Sequence, residues 1–243
     1  MTVLYCTMPR RGVFPGRLIL NFYGGGDMKK TLYSLMLSDD VVRAVDAMAH
    51  QMGTNRSNLI NQILADYVSI TTPERRISDI FRAVEEMLSP SRELVPFFSP
   101  NALTMSLKSS LEYKYRPTVK YEVQLFRSTD GPLGELSVVF RTQSAPLIEA
   151  MTQFFRLWKH TEDRLLAPFM TESIDYALYD GKFVRSIAVP RGRDVSADDV
   201  AGALSDYIKL FDRLMKGWLA GRYDVNDVQS EYYRDLAGRQ LYI

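Results

Sequence analysis

The chain has no surplus of either charge. Thirty lysines and arginines stand against 29 aspartates and glutamates, a net charge of +1 over 243 residues, so composition supplies no bulk attraction to nucleic acid or to an anionic membrane. Cysteine is almost absent: Cys6 stands alone, forms no internal disulfide and suits a reducing cytosol. No apolar run approaches the roughly 20 residues of a bilayer-spanning helix. The early stretch Leu18–Tyr23 is far too short. Only two histidines occur, His50 and His160, neither with a second His or Cys at metal-ligand spacing. A phosphate-binding glycine loop, a zinc-binding histidine pair and a nucleophile elbow are all missing. These absences predict a cytoplasmic protein that is not an enzyme and uses no metal or cofactor. A 46% share of hydrophobic residues with 24% charged excludes a wholly disordered or collagen-like chain.

Residues 1–27, MTVLYCTMPRRGVFPGRLILNFYGGGD, carry no helical or strand period, because Pro9, Gly12, Pro15 and Gly16 interrupt both. Arg17 breaks the only candidate apolar region of a secretory signal. Gly24-Gly25-Gly26-Asp27 directly precedes Met28-Lys29-Lys30, as an in-frame translation of a purine-rich ribosome-binding site would. Met28 is therefore the expected start, with 1–27 a doubtful extension left out of fold reasoning. The alternative is a flexible arm whose Arg10, Arg11 and Arg17 touch DNA phosphate.

From Lys30 the pattern sharpens. Tyr33, Leu35 and Leu37 alternate with Leu32, Ser34 and Met36, so a strand here places one set on each face. Ser38 is the expected N-cap of a helix with Asp39 and Asp40 in its first turn, where the helix dipole favours negative charge. Val41, Val45, Met48, Ala49 and Met52 form its apolar stripe. Gly53 ends it, being able to take positive φ. Ser57 is expected to cap a second helix with the stripe Leu59, Ile60, Ile63, Leu64 and Tyr67, closed by Thr71-Thr72-Pro73.

The string TLYSLMLSDDVVRAVDAMAHQMGTNRSNLINQILADYV resembles the ribbon-helix-helix (Arc/MetJ/CopG-like) family of DNA-binding regulators over residues 30–69. Strand, caps, turn and stripes all fall in register. The resemblance implies a homodimer, with two strands paired antiparallel over the helices of both chains. Physics gives a reason: a lone strand of about seven residues with two helices neither buries its apolar face nor satisfies its backbone donors, and lies near the ~40-residue limit for independent folding. The implied dimer core is Tyr33, Leu35, Leu37, Val41, Val45, Met48, Leu59, Ile60, Ile63 and Leu64. Leu32, Ser34 and Met36 would face outward, at the positions the family inserts into the major groove of double-stranded DNA.

Two of these three outward residues are apolar, whereas base-edge readout favours Arg, Lys, Asn and Gln. Leu and Met can touch thymine methyl groups and Ser34 can donate or accept; the alternative is a ribbon that serves dimerisation only. In residues 28–70, Lys29, Lys30, Arg43 and Arg56 balance Asp39, Asp40, Asp46 and Asp66. DNA attraction then rests on placed charges: Lys29 and Lys30 at the head of the ribbon, and Asn55, Arg56, Ser57 and Asn58 at a helix end suited to phosphate.

Residues 73–243 read as a separate α+β domain. Thr72-Pro73 starts a helix with the stripe Ile77, Ile80, Phe81, Val84, Met87 and Leu88, stopped at Ser89-Pro90. Three antiparallel strands follow from the shared parity of Leu103, Met105, Leu107, Leu111, Tyr113 and Tyr115, then of Val119, Tyr121, Val123 and Leu125, then of Leu136, Val138 and Phe140. Turns are expected at Asp130-Gly131-Pro132 and, as a second hairpin, at Asp180-Gly181. Two long amphipathic helices complete the domain, one capped by Ser144 with Leu147, Ile148, Met151, Phe154, Phe155, Trp158, Leu165 and Leu166. The other, capped by Ser196, carries Val200, Leu204, Tyr207, Ile208, Phe211, Leu214, Met215 and Trp218, with Asp198 and Asp199 as dipole-complementing acids. Interleaved basic and aromatic residues at 113–121 read as core face plus solvated face, and Pro190-Arg191-Gly192-Arg193 as a solubilising loop or a small cationic site.

The expected function is transcription regulation, as a bacterial repressor acting through a β-ribbon in the major groove. The C-terminal domain would hold dimers together, as a tetramer for instance, or bind an effector or a protein partner, with no membrane involved. The competing expectation is an assembly protein, such as a mobile-element transfer or partition accessory or an antitoxin-like partner, in which the ribbon mainly dimerises.

Overall fold

The computed structural model describes residues 32–97, 99, 101–111, 117–127, 131–170, 172–189 and 195–243. The expectations for 1–27, for Lys29 and Lys30, for 113–116, for Asp130 and for 190–193 lie outside the described residues. Within them the chain is mixed α and β, with six α-helices and one six-stranded antiparallel sheet.

The first two helices form a hairpin, α1 (Asp39–Gln51) and α2 (Arg56–Tyr67). Gly53 takes φ +63° after α1, and the amides of Gly53 and Thr54 donate back to the carbonyls of His50 and Ala49. That is a Schellman ending, which residues with a Cβ adopt only with strain. α2 ends in the same way, on Ser69 at φ +58° with Ile70 donating to Ala65. Ser38 holds the N-cap position of α1, but its side chain makes no cap hydrogen bond. The cap of α2 is Asn55 and not Ser57: its side-chain oxygen accepts from the Asn58 amide at 2.9 Å, and the helix begins one residue earlier than Ser57. Residues 32–38 belong to no strand in this single chain; a lone extended segment has no ladder to join until a second one lies beside it.

Helix α3 (Pro73–Leu88) has Thr72 as N-cap, its hydroxyl accepting from Arg75, and Pro73 in the first turn. Ile77, Ile80, Val84 and Leu88 are buried; Met87, expected in the stripe, is exposed. After a short 3-10 turn at Ser89–Ser91 come β1 (Leu94–Phe97), β2 (Thr104–Ser110), β3 (Thr118–Leu125) and β4 (Gly134–Phe140). Helix α4 (Ala145–Leu165), strands β5 (Tyr176–Tyr179) and β6 (Lys182–Ile187), and helices α5 (Ala197–Leu219) and α6 (Val225–Ala237) follow. The sheet order is β1-β2-β3-β4-β6-β5, every neighbouring pair antiparallel.

Parity decides which face the helices cover. Met105 and Leu107, then Val119, Tyr121, Val123 and Leu125, then Leu136, Val138 and Phe140 are all buried in one core with α3, α4, α5 and α6. The alternate residues of β3, Thr118, Lys120, Glu122 and Gln124, are exposed or half-buried, the pattern of an antiparallel sheet with one solvated face. α5 lies at the centre of the helical layer and is buried nearly all round, from Val200 to Gly217. Ser196 and Asp199 form a capping box at its start. Ser144 precedes α4 without capping it through its side chain; Pro146 in that first turn has no N–H to donate to the Ser144 hydroxyl.

Two elements were not expected. β1 is four residues long and contains Pro96, tolerable because β1 is an edge strand. α6 is a third C-terminal helix, closed at its start by an Asp224–Asp227 capping box and buried only through Val228, Tyr232 and Leu236. A second, smaller apolar cluster, Val45, Ala49 and Leu59 with Ile60 against it, is separate from the main core.

Candidate nucleic-acid interface

The expected base-contact residues all point to solvent. Leu32 and Met36 are essentially fully exposed and Ser34 is exposed. So are Tyr33, Leu35 and Leu37 of the opposite parity. Of the helical positions expected in a dimer core, Val45 and Leu59 are buried, Ile60 is half-buried, and Val41, Met48, Ile63 and Leu64 are 44–51% exposed. Thirteen of the 20 large exposed hydrophobic side chains among the described residues fall within 32–70. One α-helical hairpin cannot cover its own broad apolar face.

At the start of α2, Asn55, Arg56 and Ser57 are exposed and Asn58 is half-buried. The Asn58 amide is taken by the Asn55 cap. The Arg56 and Ser57 amides precede the first intrahelical hydrogen bond and carry the positive end of the helix dipole. The Arg56 guanidinium is not free: its Nε donates to Asp46 Oδ1 at 2.6 Å and its Nη2 donates to Asp46 Oδ2. The hydrogen bonds from Arg56 hold the Asp46 carboxyl below its ordinary value, and Asp46 raises that of Arg56. Sequence spacing missed this pair because its members sit ten positions apart on different helices.

A second cluster of ionisable groups lies in the main core. Arg185 and Glu162 form an ion pair at 3.0 Å with neither side chain exposed. Tyr176 donates to Glu162 Oε2 at 2.7 Å and Tyr232 donates to Oε1 at 3.3 Å. Trp158 Nε1 donates to the Tyr207 hydroxyl at 2.8 Å, and the Arg185 guanidinium lies 4.6 Å from the Tyr207 ring centre. Arg185 also donates to the backbone oxygens of Ser186, at 3.1 Å, and of Ile243. Burial is the largest single influence and opposes the charge on Arg185, but Glu162 together with Tyr207, Tyr176 and Tyr232 outweighs it and the pKa is raised. Burial, and then Glu162, pushes Tyr176, Tyr207 and Tyr232 up. Each side-chain nitrogen of Arg185 and each carboxylate oxygen of Glu162 has a hydrogen-bond partner, so the arrangement is a satisfied polar network. One signal was legible: Arg185 shares strand parity with Phe183 and Ile187, and a charge on a core-facing position requires a buried partner.

A smaller network joins sheet to helix. Tyr121 donates to Asp212 Oδ1 at 2.8 Å, and Lys216 bridges Asp212 and Glu93, each at 2.7 Å. Burial, then Asp212, raises the Tyr121 hydroxyl. His50 and His160 are both exposed. Among the described residues no group of three or more His, Cys, Asp or Glu side chains could hold a metal ion, and no helix is long and apolar enough to cross a membrane. No family model, curated protein or solved structure matches the chain.

Proposed function

We propose that the chain is a DNA-binding transcription regulator of ribbon-helix-helix type that works as a homodimer in the cytoplasm. The observation that carries this reading is the concentration of exposed apolar side chains in residues 32–70, on a segment whose strand-like alternation has no partner within the described residues of the chain. A second copy supplies what is missing. Its strand pairs with residues 32–37, and its helices cover Val41, Met48, Ile63 and Leu64. Leu32, Ser34 and Met36 then project into the major groove, and the starts of the two α2 helices face phosphates. Few charges take part, so affinity per dimer is modest, and the larger domain adds to it by holding dimers side by side.

One observation favours a second reading, an assembly protein whose ribbon only dimerises: the cation best placed for phosphate, Arg56, is already paired with Asp46. Two measurements separate the readings. Sedimentation of the full chain should show a dimer that Leu64→Lys dissociates. Fluorescence anisotropy with a labelled duplex taken from upstream of its own reading frame should show binding that weakens steeply as salt rises. A dimer that ignores that duplex at low salt leaves the assembly reading, and a monomer at every concentration overturns both.

A further inference from the structure

Asp46 lies on the second turn of α1, yet its carboxylate reaches the first residue of α2. Its two oxygens take the Nε and Nη2 hydrogens of Arg56, the edge of a guanidinium on which a carboxylate or a phosphate binds side by side. The pair is open to solvent, with 51% of the Arg56 side chain and 46% of the Asp46 side chain exposed, so a phosphodiester can reach it. A phosphate drawn to the Arg56 and Ser57 amides would also arrive beside a carboxylate that is ionised at neutral pH. We infer that Asp46 is an intramolecular stand-in for DNA phosphate: it occupies Arg56 in the free protein, and DNA binds by exchanging partners at that guanidinium.

This rests on the regulator reading above and adds to it a residue that sets affinity from outside the contact surface. A phosphate that displaces Asp46 gains the bidentate edge but meets the carboxylate's repulsion, so each α2 start contributes less than an unpaired arginine would. The same exchange favours DNA over small monovalent anions, because a polyanion engages both α2 starts of the dimer at once and releases condensed counterions as it does so.

The test is a double-mutant cycle on the full-length dimer, read by anisotropy with the upstream duplex across a salt series. Asp46→Asn should tighten binding on the order of fivefold, the scale of an exposed ion pair. Arg56→Ala should weaken binding, and the gain from Asp46→Asn should vanish in the Arg56→Ala background. Asp46→Ala serves as a second charge-removing variant, and sedimentation confirms the dimer in each. If the pair only braces the α1–α2 hairpin, Asp46→Asn binds no tighter than the parent; that result sinks the inference while the regulator reading stands. If no form binds the duplex at low salt, the regulator reading falls and takes the inference with it.

Discussion

Arg185 on β6 and Glu162 on α4 meet at 3.0 Å inside the main core, both side chains wholly removed from solvent. Removing one partner leaves the other as an uncompensated buried charge. Arg185→Met is therefore expected to cost about 3–5 kcal/mol, read as a lower urea midpoint. Arg185→Met combined with Glu162→Leu should be less damaging than the two single losses added together, since no charge is then stranded.

Alkaline pH should unfold the protein steeply. Tyr121, Tyr176, Tyr207 and Tyr232 are buried or largely so, and each has its hydroxyl pushed above the ordinary tyrosine value. In the unfolded chain these groups lose their protons near pH ~10, whereas the folded protein keeps them. The stability they contribute is fully present below that pH and is lost as pH rises past it, because the unfolded state then binds fewer protons. Urea midpoints measured through the alkaline range should fall with a slope that Tyr232→Phe reduces by about one proton.

Gly134 sets how closely β3 and β4 approach. A Cβ there would lie 2.2 Å from the Gln124 carbonyl oxygen and 2.9 Å from a Leu125 methyl, and the first of these is backbone that no rotamer change can move. Gly134→Ala should cost at least about 1–3 kcal/mol. Gly202→Ala, in α5, meets nothing within 4 Å and should instead stabilise by about 0.5–1 kcal/mol through helix propensity. Thermal unfolding of the two variants checks the opposite signs.

Ser69 carries the left-handed ending of α2 with a Cβ in place, at φ +58°, where α1 uses Gly53. Ser69→Gly should relieve that strain, less the entropy that glycine adds to the unfolded chain, for a net gain of about 0.5 kcal/mol. Slower hydrogen exchange of the last-turn amides of α2 would show it. Gly53→Ala should act in the opposite direction on α1.

What was legible in the sequence was what one residue's neighbours along the chain decide. The parity of Val119, Tyr121, Val123 and Leu125 located β3 and its buried face, and Thr72-Pro73 and Ser196 located helix starts. The stripe of α5, from Val200 to Met215, is buried as its helical spacing predicts. Four-residue β1, with Pro96 in it, offers too short a run for any period to emerge. α6 hid because its sequence VNDVQSEYYRDLA buries only three side chains, so its helical signal lies in the Asp224–Asp227 cap and not in a broad stripe. Ser57 lost the cap to Asn55 because both residues have good capping chemistry and only the path of the chain decides between them. Pairings such as Arg56 with Asp46 and Arg185 with Glu162 depend on how separate elements pack, which no spacing along the chain encodes.

The grip of Arg185 on the Ile243 backbone oxygen spans 58 positions, and this orders events during synthesis. β1 to β4 form a local meander that can pair as it leaves the ribosome, but Arg185 emerges long before Ile243 and before Tyr232, which completes the shell around Glu162. Until those residues are made, a guanidinium and a carboxylate destined for the core lack their full set of partners and stay hydrated. The sheet can thus assemble vectorially, whereas final closure of the helical layer waits on the translation of α6 and the residues that follow it.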